Sequence, residues 1–252
     1  MKIEFQSISD QGSVRPNNED AIKGGIVNNG ELIWMVIADG MGGHLAGEVA
    51  SKILVDEIEQ SIINVTDLPN EDWLCFMEIT LNRANNKIFN MAEKDITKKG
   101  MGTTAVVTIL YQGQCYISWV GDSRCYLYQP NKTAENQLIQ LTKDHSMVQA
   151  LVDKGAISEQ EAKTATNKNM LTKAIGIKRG IKVDTIRATV YPENVLFLST
   201  DGLHDSLNHQ ELLVSIKKIA DGIDMEKALI DLAIRSGSRD NITFGSILIR
   251  SL

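Results

Sequence analysis

Residues 32–43 read LIWMVIADGMGG, an apolar run that ends at Asp39 and Gly40. A short apolar run bounded by turn residues is typical of a strand. An apolar helical face follows at residues 49–58, so a tight hairpin does not explain the Asp-Gly pair. This stretch therefore predicts a strand that ends in an acidic residue and continues into a helix.

Similar apolar runs recur on both sides of this strand. Hairpin-like strand pairs dominate over a strand–helix–strand alternation, which predicts an α+β fold with antiparallel sheets covered by helices. Apolar helical faces predict four helices, around residues 49–58, 73–88, 212–216 and 225–233. The predicted strands cover residues 2–9, 21–27, 32–38, 103–111, 114–121, 123–129, 137–141, 182–190, 194–199 and 242–250.

Two pairs of residues have the spacing of capping boxes, which mark the first turn of a helix. They are Ser158 with Glu161 and Asn208 with Glu211. Residues 144–178, which contain the first box, are polar and broken. We interpret this segment as an excursion from the sheet, either a flap or a plain surface loop.

Composition excludes several classes of protein. The 252 residues carry a net charge of −6, which gives no support to nucleic-acid binding. No stretch of about 18 uncharged apolar residues exists, so no membrane span is expected. The first residues lack the pattern of a signal peptide. The chain has only three cysteines and no CxxC pair, which indicates a reducing, cytoplasmic setting.

Four aspartates adjoin apolar runs: Asp39, Asp122, Asp201 and Asp240. Taken singly, an Asp-Gly after a strand is usually just a turn. Their repetition favours a site, because strand ends on one edge of a sheet can bring such acids together. A cluster of like charges is costly unless a cation neutralises it, and oxygen ligands select hard cations such as Mg²⁺ or Mn²⁺.

Arg15 lies in GSVRPNNEDA, just before the acidic pair Glu19 and Asp20. Its planar fork of donors suits a phosphate, although most arginines are simply exposed surface residues. Motifs for a protein nucleophile were not found: no cysteine has an arginine six positions later, and neither GxSxG nor GxxxxGK[ST] occurs. Water activated by a metal ion is the mechanism that needs no such residue.

Eight segments form an ordered series along nearly the whole chain: GSVRPNNEDA, VIADGMGGHLAGEVAS, GMGTTAVVTIL, WVGDSRCYLY, QLTKDHS, LTKAIG, FLSTDGLHDSL and SRDNITFGSILI. In this order they resemble the motifs of the metal-dependent protein Ser/Thr phosphatases, the PPM or type 2C class, in their bacterial form. Each motif alone is weak, but eight in order are specific.

The resemblance implies a single phosphatase domain over residues 1–252, with a flap-like insert at about residues 144–178. Its fold would be two antiparallel β-sheets packed as a sandwich with helices on both sides, a four-layer αββα arrangement. The expected cofactors are two Mn²⁺ or Mg²⁺ ions, with a third ion in bacterial members.

The resemblance also implies roles for the acidic residues. Asp39 matches the ligand that bridges the two ions, and Gly40 matches a backbone carbonyl ligand. Asp201 and Asp240 would complete the second ion. Asp122, together with Asp201, matches the looser third site.

The two acids before the second strand have a different implied role: Glu19 and Asp20 would hold metal-bound waters. Arg15 matches the phosphate-binding arginine, and Arg15 and Asp39 are the expected catalytic residues. A hydroxide that bridges two ions would attack the phosphorus of phosphoserine or phosphothreonine in proteins, and no phosphoenzyme would form. The expected partners are phosphorylated proteins modified by a cognate Ser/Thr kinase, with no nucleic acid and no membrane, and the expected state is a monomer.

Two departures from the family pattern affect proton transfer and the flap. Many eukaryotic members have a histidine, a candidate general acid, where this chain has Met41. His44 lies nearby, with a plain role at the helix start equally open, so the general acid is left unassigned; a metal-bound water could serve. The insert also reads TATNKNM before LTKAIG, without the usual His-Pro.

Four further polar residues lie within these motifs. We interpret His145 as structural, while His204 is equally open to contact with the metal ligands. Thr103 and Thr104 begin a strand that faces the expected site and are interpreted as packing or supporting residues.

Two other function classes stay open. The first is a catalytically silent phosphoprotein-binding module of the same fold, but such relatives usually lose a metal acid, and Asp39, Asp201 and Asp240 are all present. The second is a structural cation site in a protein that is not an enzyme. The lack of an EF-hand spacing counts against it.

Overall fold

The structure is a computed structural model in which residues 2–27, 30–43, 46–65, 72–165 and 168–251 are described. The strands within them are β1 (Lys2–Asp10), β2 (Asp20–Val27), β3 (Leu32–Met41), β4 (Gly102–Thr103), β5 (Ala105–Tyr111), β6 (Gln114–Val120), β7 (Arg124–Tyr128), β8 (Leu138–Gln140), β9 (Asp184–Thr189), β10 (Val195–Ser199) and β11 (Ile242–Ser251). The helices are α1 (Ala46–Ile63), α2 (Trp73–Lys94), α3 (Met147–Asp153), α4 (Glu159–Thr164), α5 (Asp201–His204), α6 (His209–Ala220) and α7 (Glu226–Arg235).

The strands form two antiparallel sheets. Sheet A has the order β1-β11-β10-β7-β8. Sheet B has the order β2-β3-β5-β6-β9, and β4 pairs with the end of β3. Strands that are close together in the chain pair as β2 with β3 and β5 with β6 in sheet B, and as β7 with β8 in sheet A. The other pairings join strands far apart in the chain, and the pairing of β1 with β11 joins the beginning of the described chain to its end.

Strand β3 shows why its sequence is apolar without alternation. Ile33, Met35 and Ile37 belong to the apolar layer between the two sheets. The side chains between them, such as Trp34 and Val36, pack against α1 and α2. Because successive side chains of a strand point to opposite faces, both faces of β3 are buried.

The apolar side chains form three separate clusters. One lies between sheet B and helices α1 and α2, one between the sheets, and one between sheet A and helices α5, α6 and α7. Three apolar layers separate four layers of secondary structure. The predicted α+β sandwich with helices on both sides is therefore confirmed.

The predicted elements agree with the structure in most details. All predicted strands are present, although the one at 103–111 divides into β4 and β5 next to Thr104. The four predicted helices are α1, α2, α6 and α7, and both capping boxes are formed. The four-residue helix α5, which begins at Asp201, was not predicted, because a single turn carries no apolar period.

The predicted insert at residues 144–178 contains α3 and α4. An isolated bridge between Thr103 and Ile175 ties the insert to the body of the protein, and a second bridge, between Ser146 and Leu171, joins the two ends of the insert to each other. Its action as a flap, and the single domain over residues 1–252, stay predictions. Among the helices that the structure describes, none combines the length and apolar character needed to cross a bilayer.

Candidate metal centre

Five aspartates are gathered at one end of the sandwich. Asp20 and Asp39 lie on β2 and β3, and Asp122 follows β6, so three of them come from sheet B. Asp201 follows β10 and Asp240 precedes β11, so two come from sheet A. The expectation that one sheet edge assembles the acids was therefore wrong, because the strand ends of two facing sheets meet here.

Asp20 lies directly opposite Asp39 in the antiparallel pair of β2 and β3. Like charges in this position repel each other. Burial raises the pKa of Asp39 well above its usual range, and the charges of Asp20, Asp201, Asp122 and Asp240 raise it further. The carboxylate of Asp39 is therefore the electrostatic centre of the cluster.

The other carboxyl groups respond in the same direction. Burial, followed by neighbouring acids, raises the pKa of Asp122 to about 8 and that of Asp201 to about 6. Burial raises the pKa of Asp20 to about 7, even though Thr200 Oγ1 donates a hydrogen bond of 2.8 Å to its Oδ2. A divalent cation would relieve all of these shifts, because opposite charge favours the ionised carboxylate.

Asn241 holds the loop that carries Glu19. Its Oδ1 accepts a hydrogen bond of 2.9 Å from the Glu19 backbone N–H. Its Nδ2 donates to the carbonyl oxygens of Gln11 and Asn17, at 2.9 and 2.8 Å. The sequence placed Asn241 only in a motif after Asp240, and its part in positioning the Glu19 loop was missed.

Two glycines beside the acids are required by close packing. A Cβ atom on Gly40 would lie 2.2 Å from the carbonyl oxygen of Gly47, and one on Gly202 would lie 1.9 Å from that of Asn241. The Gly40 N–H also donates to the Glu19 carbonyl at 3.0 Å. The glycines thus bring separate backbone segments together at the site, while the role of the Gly40 carbonyl as a ligand stays a prediction.

Thr103 and Thr104 support the backbone of Asp39. Both the Thr104 N–H, at 2.8 Å, and the Thr103 hydroxyl, at 2.9 Å, donate to the Asp39 carbonyl. The Asp39 N–H donates to Thr104 Oγ1, which also lies 2.7 Å from Ser123 Oγ. The role of Ser123 was not predicted, since a buried pair of hydroxyls has no characteristic spacing in the sequence.

Arg15 reaches the edge of the cluster. Its Nη2 lies 2.5 Å from Asp240 Oδ2, and this contact raises the pKa of the guanidinium. Nearly half of the Arg15 side chain is exposed. The guanidinium therefore stands beside the carboxylates and is open to solvent.

Two histidines, His145 and His204, are buried close in sequence to acids of the cluster or to the loops that carry them. His145 is buried, its Nδ1 accepts from the Gly121 N–H at 3.1 Å, and its ring stacks on Trp119. His204 is also buried, with Nδ1 3.0 Å from Ser199 Oγ. Burial lowers the pKa of both imidazoles.

Two positions, Met41 and His44, bear on the source of a general acid. Met41 pairs with Gly102 at the end of β3. His44 lies outside the described residues.

The cluster offers carboxylate oxygens, which are the ligands that a hard cation prefers. In the part of the chain that the structure describes, no three acidic, histidine or cysteine side chains are already arranged to hold one ion. Asp20 accepts a hydrogen bond from Thr200, and Asp240 is paired with Arg15, so a cation would compete with these partners for the two carboxylates. The chemistry fits Mg²⁺ or Mn²⁺, because the donors are carboxylate oxygens whose mutual repulsion a cation removes.

Known proteins match the chain over most of its length. A family model for protein phosphatase 2C matches residues 13–232. The serine/threonine phosphatase stp of Listeria monocytogenes is 37% identical over 251 residues, which cover 96% of this chain and 94% of that protein.

Solved structures match the fold as well. Stp1 from Staphylococcus aureus has a TM-score of 0.87 at 30% identity, covering 100% of this chain and 96% of that chain. The catalytic domain of the phosphatase PstP, solved in complex with two manganese ions, has a TM-score of 0.83 at 29% identity and coverage of 99% of both chains. The sequence motifs, the double sheet and these matches agree that the chain belongs to the protein phosphatase 2C family.

Proposed function

We propose that the chain hydrolyses phosphoserine and phosphothreonine in proteins with the help of two Mn²⁺ or Mg²⁺ ions. The observation that supports this most directly is the convergence of five aspartates from two sheets beside the guanidinium of Arg15. Asp39, Asp201 and Asp240 would hold the two ions, together with the Gly40 carbonyl. Asp122 with Asp201 would hold a third, and Glu19 and Asp20 would fix water around the pair.

The ions, when bound, supply a water of lowered pKa and neutralise charge on the phosphoryl group. Arg15 would orient the substrate, because its fork of N–H donors matches two non-bridging phosphate oxygens. Its present partner, Asp240, is a proposed ligand, so Arg15 already stands at the edge of the metal site. No residue of the chain takes up the phosphoryl group in this proposal.

The test compares hydrolysis of a phosphothreonine peptide with Mn²⁺ and with a chelator. Asp39→Asn is the test variant, and Asp56→Asn is a matched control, because Asp56 lies in a surface ion pair with Lys23. We expect Mn²⁺-dependent release of phosphate that Asp39→Asn abolishes and Asp56→Asn retains. Equal turnover in the chelator, or full activity of Asp39→Asn, would contradict the proposal.

The absence of a phosphoenzyme has its own test. A peptide with labelled phosphate is quenched in acid during turnover, and the protein is examined for label. The proposal expects all label in peptide and free phosphate.

The proposed partners in the cell are proteins phosphorylated by a cognate Ser/Thr kinase, and the enzyme is proposed to be monomeric and cytoplasmic. A comparison of the phosphoproteins in cells with and without the active chain would identify these partners.

A further inference from the structure

A groove of about 410 Å³ opens beside Asp201 and Asp240. Four separate parts of the chain form its walls: the loop of Arg15, the insert at Lys168 and Asn169, helix α5 with the residues after it, and residues 236–240 between α7 and β11. The groove therefore includes Arg15, the proposed phosphate-binding residue, and two proposed metal ligands, Asp201 and Asp240.

Three cations and three carboxylates line this groove. Arg15 is paired with Asp240 at 2.5 Å, and Lys168 is paired with Asp205 at 2.8 Å. Arg239 is exposed and makes no hydrogen bond or ion pair with any residue that the structure describes. Among the groove cations, it is the one whose charge has no partner within the described chain.

The backbone beneath Arg239 is fixed. The N–H groups of Ser236, Gly237 and Ser238 donate to carbonyls of the last turn of α7, and Ser238 Oγ donates to the Gly202 carbonyl at 2.7 Å. This last bond ties the loop to the residue after Asp201. A fixed backbone lowers the entropic cost of presenting a charged side chain to a ligand.

The proposed function assigns the other charges of the groove. Asp201 and Asp240 would bind divalent ions, Arg15 would bind the target phosphate, and Lys168 with Asp205 is a neutral pair. Arg239 is then an unbalanced positive charge next to the phosphate site. We propose that Arg239 binds a second anion of the substrate, a carboxylate or a further phosphate near the phosphoresidue, and that the enzyme thereby prefers acidic or doubly phosphorylated segments.

The inference rests on the proposed function, and its test uses four phosphothreonine peptides that differ only in the flanking residues. The flanks carry glutamine, glutamate, lysine or a second phosphoserine. Wild type is expected to favour the glutamate peptide over the glutamine peptide by about 3-fold in kcat/KM, as an exposed ion pair would give. The second phosphate is expected to give a larger preference, since its charge is greater.

Arg239→Glu should reverse the preference toward the lysine peptide, and Arg239→Gln should remove it. Arg235→Glu is the matched control, because Arg235 is exposed at the end of α7 but does not line the groove. Anisotropy of labelled phosphonate peptides with the Mn²⁺-loaded protein measures the same preferences as affinities, without turnover.

Equal kcat/KM and equal affinity for all four peptides in the wild type would overturn the inference and leave the proposed function standing. An unchanged preference in Arg239→Glu would overturn it too. Absence of turnover with every peptide would count against the proposed function, and the anisotropy series would still decide the role of Arg239.

Discussion

Thr104 Oγ1 lies 2.7 Å from Ser123 Oγ, and both side chains are buried. The same Thr104 oxygen accepts the N–H of Asp39, while Ser123 directly follows Asp122. One pair of hydroxyls therefore connects the strand end of the central aspartate with the loop of the proposed third-metal aspartate. The contact thus links the two backbone segments that carry these acids.

Thr104→Val keeps the shape of the side chain but removes the bridge. Partners behind metal ligands typically change metal affinity by 10–100-fold, so we expect Mn²⁺ binding to weaken by at least about 10-fold, measured by calorimetry. Thr104→Ser should restore binding. Thr108→Val is the matched control, because Thr108 is buried on β5, the strand that follows Thr104, and donates to the Met35 carbonyl. Equal Mn²⁺ affinity in the two valine variants would show that the bridge has no such role.

Asp39→Asn should have opposite effects on activity and on stability. It removes a proposed bridging ligand, so the loss of activity should exceed the roughly 100-fold expected for a group behind the ligands. It also removes a carboxylate that burial and four neighbouring acids destabilise, so the metal-free protein should unfold at a higher temperature. Asp56→Asn should not raise the unfolding temperature, since its ion pair with Lys23 keeps the pKa of Asp56 below its usual range. A lower unfolding temperature for metal-free Asp39→Asn would contradict the electrostatic argument.

Stability of the metal-free protein should fall as the pH rises from 7 to 8. The folded-state pKa of Asp20 is about 7 and that of Asp122 about 8, both above the value near 3.9 of an unfolded aspartate. A raised pKa contributes stability that is complete below the unfolded value and is lost as the pH passes through the folded value. The lowered pKa values of His145 and His204 act below about pH 6.5, outside this window.

Urea unfolding in a chelator at pH 7 and pH 8 measures this dependence. Asp122→Asn should flatten it, and saturating Mn²⁺ should remove it, because bound cations keep the acids ionised. Calorimetry in two buffers of different ionisation enthalpy should show protons released on Mn²⁺ binding at pH 7. A metal-free stability that rises between pH 7 and 8 would refute the predicted titration.

Gly202→Ala should destabilise the fold by about 1–3 kcal/mol, the usual cost of forcing an extra group into a packed region. The new Cβ atom would lie 1.9 Å from the Asn241 carbonyl oxygen, so the start of β11 has to shift. Gly43→Ala is the control, because no atom lies within 4 Å of a Cβ atom there. Urea unfolding compares the two variants, and equal stability of both would contradict the packing argument.

The sequence predicted the elements of the fold well, because most strands are apolar runs bounded by turn residues. It could not tell which sheet each strand joins. In β3, a fully apolar run gives no indication of which side faces the partner sheet; only the packing shows that Ile33 and Ile37 lie between the sheets while Trp34 faces the helices.

The acidic residues could be identified from the sequence, because carboxylates at the ends of so many strands are unusual. Their arrangement in space could not be predicted from the sequence. The register that places Asp20 opposite Asp39 follows from pairing along the whole of β2 and β3. The contacts of Asn241 and the Thr104–Ser123 pair join residues far apart in the chain. Such contacts arise only when both sheets are packed, so residue type and local spacing do not reveal them.

The division of the acids between two sheets has a mechanical consequence. An ion held by Asp39, on sheet B, and by Asp201, which follows a strand of sheet A, would connect the two sheets at this end of the sandwich. The apolar layer that contains Ile37 and Leu198 lies between the same two sheets. The affinity for the metal ion would then depend on the spacing between the two sheets. Substitutions in that layer, which touch no ligand, would therefore change the metal concentration that the protein needs. The packing of the hydrophobic interior and the affinity for the cofactor would be linked in this way.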